Sequence, residues 1–126
     1  MGRKGKAVEF RHTVLSNGLE LVAECNAHAQ SVAVGFLVGA GSRDETDEIS
    51  GVSHFLEHMV FKGSSCHGAG EFDRKIEALG GSSNAATGFD DVHFYVLIPP
   101  KVVAPALELL LELVLKPALL PEAFIL

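Results

Sequence analysis

Apolar residues recur along this chain at two different periods, and the changes of period mark out its elements. Val32, Val34, Phe36 and Val38 alternate with mostly smaller residues, which predicts a strand over 31–38. Residues 9–15 and 19–24 read as two further strands joined through Ser16-Asn17-Gly18, because Asn-Gly tolerates positive φ. Residues 82–87 and 92–98 form another predicted hairpin across 88–91. Between these strands the period lengthens. Val52, Phe55, Leu56 and Met59 fall at i, i+3, i+4 and i+7, so 51–62 reads as a helix with Ser50 as N-cap and Gly63 as its stop. His54, His58 and Phe61 line a second face, and a helix apolar on most sides is expected to be buried. A shorter helix over 71–79 turns Phe72, Ile76 and Leu79 inward and leaves Glu71, Asp73 and Glu77 in water. Pro99-Pro100 opens the last helix, 101–115, which Lys116-Pro117 closes. On that helix Glu108 and Glu112 make an i, i+4 stripe whose default is solvent. The expected class is α+β, a largely antiparallel sheet covered by helices.

Composition narrows the functional range. At 126 residues the chain is one domain or a piece of one. With 48% hydrophobic residues and a mean hydropathy of +0.28, it is apolar enough to imply surface that something else covers. The net charge of −6 offers no basic field for nucleic acid. Arg3, Lys4, Lys6 and Arg11 make a small basic start without the apolar run of a signal peptide. Residues 103–126 are the most apolar stretch, but Pro105, Glu108, Glu112, Lys116 and Pro117 interrupt it, so no membrane span is expected. Cys25 and Cys66 belong to no CxxC pair, which fits two inert thiols in a reduced, cytoplasmic setting. The apolar run 121–126 looks like the opening of another helix, so the chain is expected to be a fragment of a longer protein or a truncated gene product.

The chemistry concentrates in His54-Phe55-Leu56-Glu57-His58. Two histidines four apart on a helix stack on one face, close enough for both imidazoles to hold one Zn²⁺. Glu57, one residue before the second histidine, is placed to take a proton from a water that the metal polarises. Two histidines on a buried face could instead simply hydrogen-bond the core. The metal is favoured because such groups are costly to bury without partners. Cys66-His67 reads as part of a Gly-rich loop, and His93 as a packed or surface residue of its strand.

The neighbouring residues resemble a known family. Gly39-Ala40-Gly41-Ser42-Arg43-Asp44-Glu45, then Gly51-Val52-Ser53 running into the motif and on through Met59-Val60-Phe61-Lys62-Gly63, look like the pitrilysin/insulinase family of zinc metallopeptidases, in its mitochondrial processing peptidase-like style. Thr13-Val14-Leu15-Ser16-Asn17-Gly18-Leu19 and Gly80-Gly81-Ser82-Ser83-Asn84-Ala85-Ala86-Thr87 extend the match over most of the chain.

That resemblance implies His54 and His58 as zinc ligands and Glu57 as general base, in a metallohydrolase domain of the processing-peptidase type. It also implies that 82–87 is an edge strand on which a peptide or unfolded segment docks by β-augmentation, with the backbone around Asn84 and Ala85 aligning it. Read without the resemblance, 82–87 would be an ordinary polar edge strand. The family's third zinc ligand is a glutamate on a later helix, beyond the 68 residues that follow His58. Residues 1–126 are therefore expected to be the N-terminal part of one peptidase domain, with a second homologous domain or subunit outside it. The expected activity is zinc endopeptidase. Its rivals are a non-catalytic peptide-binding partner subunit and an inactive truncated product.

Overall fold

A computed structural model describes residues 8–124. Arg3, Lys4 and Lys6 of the basic start, and residues 125 and 126 of the terminal run, lie outside the described residues. The chain divides after Gln30 into two compact units.

In the first unit, β1 (Glu9–Val14) and β2 (Glu20–Cys25) pair antiparallel, with Glu9 opposite Cys25 and Val14 opposite Glu20. The turn is wider than a two-residue Asn-Gly loop. The N–H of Gly18 donates to the Leu15 carbonyl and that of Leu15 to the Leu19 carbonyl, both at 2.9 Å. Of the Asn-Gly pair only Gly18 takes a positive φ, 87°, while the Asn17 side chain accepts from the Leu19 N–H at 3.1 Å. Asn17 thus contributes its side chain to the turn and not a left-handed backbone.

The second unit is built on a three-stranded antiparallel sheet ordered β3 (Val32–Val38), β5 (Val92–Ile98), β4 (Ser82–Thr87). The single sheet expected from the sequence is therefore two sheets among the described residues. β5 is central, and its alternation is complete. Val92, Phe94, Val96 and Ile98 are buried, whereas His93 and Tyr95 are half-exposed and Leu97 is exposed. Onto the buried face pack α2 (Glu71–Ala78), through Phe72 and Ile76, and α3 (Val103–Leu115), through Ala106, Leu110 and Leu113 at i, i+4 and i+7. Pro105 sits in the first turn of α3, where no intrahelical acceptor awaits its missing N–H. From β3, Val32, Val34 and Phe36 pack against this core, but Val38 is 40% exposed.

The helix α1 (Val52–Val60) lies along β4 and is not buried as its sequence suggested. Met59 alone of its residues is buried; Phe55 and Leu56 are 40% and 42% exposed. Ser50 does not cap it either. Gly51 is the N-cap, in the left-handed region at φ 90°, and no side chain at that position closes the helix. Phe55, Leu56, Leu119, Leu120 and Phe124 contribute to the uncovered apolar surface that the composition led one to expect. The expected helix opening at 121–126 is, as far as it is described, a 3-10 turn over Pro121–Phe124. No helix among the described residues is long and apolar enough to cross a membrane.

Ile76 is fully buried where α2 meets the sheet and α3. Ile76→Ala should lower unfolding stability by about 2–5 kcal/mol, read as a shift of the denaturation midpoint at unchanged slope.

Candidate active site

The site is assembled where α1 faces the outer strand of the sheet. His54 and His58 sit one turn apart on α1, and their Nε2 atoms meet at 3.0 Å with ring centroids 4.7 Å apart. Both imidazoles are exposed. Glu57 projects between the helix and β4, half-buried, and its Oε2 accepts a hydrogen bond of 2.5 Å from the Thr87 hydroxyl. Donor atoms of all three residues fall within 4.8 Å of one another, and among the described residues no further His, Cys, Asp or Glu joins them. A cleft of about 520 Å³ opens beside them, bounded by His54 and Glu57 on one side and by Ala85, Ala86 and Thr87 on the other.

The donor set suits a divalent metal with a preference for imidazole. Bonds of about 2.0–2.1 Å at a tetrahedral angle require ring nitrogens about 3.3–3.4 Å apart. The observed pair needs to open by only a few tenths of an ångström, within the reach of small side-chain rotations. The expectation that these residues would be buried, and so forced into partnership, is not met. The two imidazoles converge in water because of helical phase, and only Glu57 is half-buried, with Thr87 as its partner.

What orients α1 lies upstream. The Glu45 carboxylate accepts from two backbone N–H groups at the helix start, Gly51 at 2.6 Å and Ser53 at 2.8 Å. Those groups have no intrahelical acceptor, so Glu45 performs from six residues away the task expected of Ser50. The bond from Gly51, then those from the backbone and hydroxyl of Ser53, hold the Glu45 carboxyl below its ordinary pKa. The same segment also grips the β4–β5 turn. Arg43 N–H donates to the Phe89 carbonyl at 2.9 Å, and the Arg43 guanidinium meets Asp90 at 2.9 Å while lying over the Phe89 ring. Gly41 is packed so closely that a Cβ there would lie 2.6 Å from the Phe89 carbonyl oxygen and 2.8 Å from the Asp91 nitrogen. Residues 41–45 thus tie one wall of the cleft to the other.

β4 pairs with β5 alone, so 82–87 is a sheet edge among the described residues. The Gly88 N–H donates to the Asp91 carbonyl at 2.7 Å. Alternation along an antiparallel ladder then turns the backbone groups of Ser83, Ala85 and Thr87 toward the open side and those of Asn84 toward β5. The Ala85 N–H is taken by the Asn84 side-chain carbonyl at 2.9 Å. The side chains of Ser83 and Thr87 point the other way, to carboxylates on the helices: Ser83 donates to Asp73 on α2 at 2.5 Å, as Thr87 does to Glu57 on α1. Asp73 is therefore a strand–helix tie, and not simply part of a solvated face.

A second polar cluster lies away from the cleft. Glu112 was expected in solvent, but residues 64–67 fold over this turn of α3, and Ser64 and His67 Nδ1 (2.8 Å) both donate to its Oε1. The Ser64 bond holds its carboxyl below the usual value against the opposing effect of desolvation, with help from His67. Lys75 on α2 donates to His67 Nε2, so His67 bridges two helices. Glu108 is exposed, as expected. Cys25 and Cys66 are both free and exposed. His93 lies half-exposed, 3.7 Å from Asp91.

A family model described as Insulinase (Peptidase family M16) matches residues 20–125, and the chain belongs to this family. It is 39% identical over 107 residues to a probable mitochondrial-processing peptidase subunit beta of Arabidopsis thaliana, covering 85% of this chain and 20% of that protein. It is 41% identical over 97 residues to an uncharacterized zinc protease of Bacillus subtilis (strain 168), covering 77% and 24%. Among solved structures, a protease from Helicobacter pylori superposes with a TM-score of 0.87 at 32% identity, over 93% of this chain and 28% of that one. Pitrilysin, at 23% identity and a TM-score of 0.84 over 94% of this chain and 13% of its own, shares the fold. The chain thus spans about a fifth to a quarter of the length of these two curated relatives.

Neither Glu45 nor Thr87 was singled out as a contributor to the site, although both lie in segments that carry the family resemblance. Glu45 lies in an acidic stretch with no helical period, and Thr87 at the end of a polar strand; only the fold reveals what each faces.

Because Glu45 titrates from a lowered folded pKa, the stability it adds is complete above the ordinary carboxylate range and disappears as pH falls through the lowered value. Glu45→Gln should therefore lower the melting temperature at pH 7, and the gap to wild type should narrow in thermal melts as pH falls below the ordinary glutamate value of about 4.3.

Proposed function

We propose that this chain is the first part of the catalytic domain of a zinc endopeptidase that cleaves peptides or unfolded segments held as an extended strand. The observation that carries this is the convergence of His54 and His58 Nε2 atoms at 3.0 Å, with Glu57 beside them, along an unpaired strand edge. Membership of the insulinase family and similarity to proteins named zinc proteases support it.

In this reading His54 and His58 are zinc ligands. Zinc, when bound, supplies a Lewis acid that polarises the scissile carbonyl and lowers the pKa of water. Glu57 takes a proton from the attacking water and passes it to the departing amine. Its Oε2 already accepts from Thr87, which leaves Oε1 as the oxygen without a partner among the described residues. A substrate strand pairs with the open backbone groups of Ala85 and Thr87, which first requires the Asn84 side chain to release the Ala85 N–H. The remaining ligand, a glutamate on a later helix, and a second homologous domain or subunit belong to sequence outside this chain. Three similar proteins are named as beta subunits, which favours assembly with a partner subunit.

Two variants of the complete protein test the assignment. Glu57→Gln should cut peptide turnover by about 10²–10⁴-fold with zinc still bound near one per site, measured by metal analysis beside the assay. Undiminished turnover would remove Glu57 from its role. His58→Ala should lose zinc altogether, and a variant that keeps it at wild-type affinity would contradict the ligand set.

A further inference from the structure

Thr87 stands at the junction of the substrate edge and the base. Its backbone faces the open side of β4, while its side chain turns inward and donates to Glu57 at 2.5 Å. Thr87 is half-buried, and its backbone is fixed by the strand it ends and by the turn that follows. Thr87 is the last residue of β4, opposite Val92, and the turn that follows is tied back to residues 41–45 through Ser42 N–H to the Gly88 carbonyl (3.2 Å) and Arg43 N–H to the Phe89 carbonyl (2.9 Å). Glu57 has no other hydrogen-bond partner among the described residues. A carboxylate with one flexible stem and one fixed donor is oriented by that donor.

We propose that Thr87 is the positioning residue for Glu57, fixing Oε2 so that Oε1 is presented to the water beside the histidines. This rests on the function proposed above. A fixed carboxylate loses less freedom on reaching the transition state, and misplacement of a reacting group by about 1 Å costs on the order of 10²-fold in rate. The arrangement also ties orientation of the base to the strand on which the peptide lies. Thr87→Val is the informative change, since it keeps the β-branched shape suited to a strand and removes only the hydroxyl. Thr87→Ser restores the donor.

In the complete zinc-loaded protein, Thr87→Val should lower kcat about 10–100-fold, with KM within about twofold and zinc content unchanged, and Thr87→Ser should recover most of the loss. Wild-type kcat in Thr87→Val overturns the proposal. So does a raised KM at constant kcat, which would place the hydroxyl on the peptide. So does Thr87→Ser behaving like Thr87→Val, which would make the effect one of packing. If the complete wild-type protein cleaves no peptide, the peptidase reading fails, and Thr87 is then judged on the metal-free protein. There, the melting-temperature losses of Thr87→Val and Glu57→Ala should sum to more than the loss of the double variant. Additive losses would overturn the pairing of the two side chains.

Discussion

The pair of hydrogen bonds from Gly51 and Ser53 to the Glu45 carboxylate is the constraint on which the site depends. A helix of nine residues is too short to hold its own direction in water. The helix α1 fully buries only Met59, and its other core contacts, Val60 and the adjoining Phe61, lie at its far end. Its start is fixed instead by one carboxylate. The chain segment that carries that carboxylate is itself pinned to the β4–β5 turn through Gly41 and Arg43. Rotation of α1 by one residue, about 100°, would carry His54 and His58 off the cleft together. Their convergence is thus a property of the anchoring and not of the motif alone.

The core and the site are built by different means. Val96, Ile98, Ile76 and Leu110 hold the sheet to α2 and α3 by burial, without directional bonds, and would tolerate conservative changes of shape. The cleft is held almost entirely by polar ties: Glu45 to the helix start, Thr87 to Glu57, Ser83 to Asp73, and Arg43 to the turn. Such ties are individually modest, and each fixes a direction. A frame stabilised by burial carries a reactive surface aligned by hydrogen bonds, so the two can vary separately.

Much of this was legible in the sequence, for identifiable reasons. The strands and helices announced themselves through period and turn signals, and β3 most clearly, because Val32, Val34, Phe36 and Val38 alternate with mostly smaller residues. The His54–Glu57–His58 grouping follows from the 3.6-residue turn and needs no tertiary knowledge. What periodicity could not supply was exposure. Phe55 and Leu56 look like core residues, yet they stand on a face that the described residues leave uncovered. Long-range polar pairs were equally invisible. Nothing local distinguishes Glu45 from Glu48, or Glu112 from Glu108, until residues 51–53 and 64–67 are brought beside them. The expected Ser50 cap failed for the same reason: a better acceptor arrives from elsewhere in the chain.

The Asn84 side chain resting on the Ala85 N–H has a meaning for solubility. An open sheet edge is a template for any passing strand, including one from another copy of the same protein, and polar edge strands that end in aggregates begin with such pairing. Here a newcomer meets a donor already satisfied from within, so casual edge-to-edge association gains less than it would from a bare ladder.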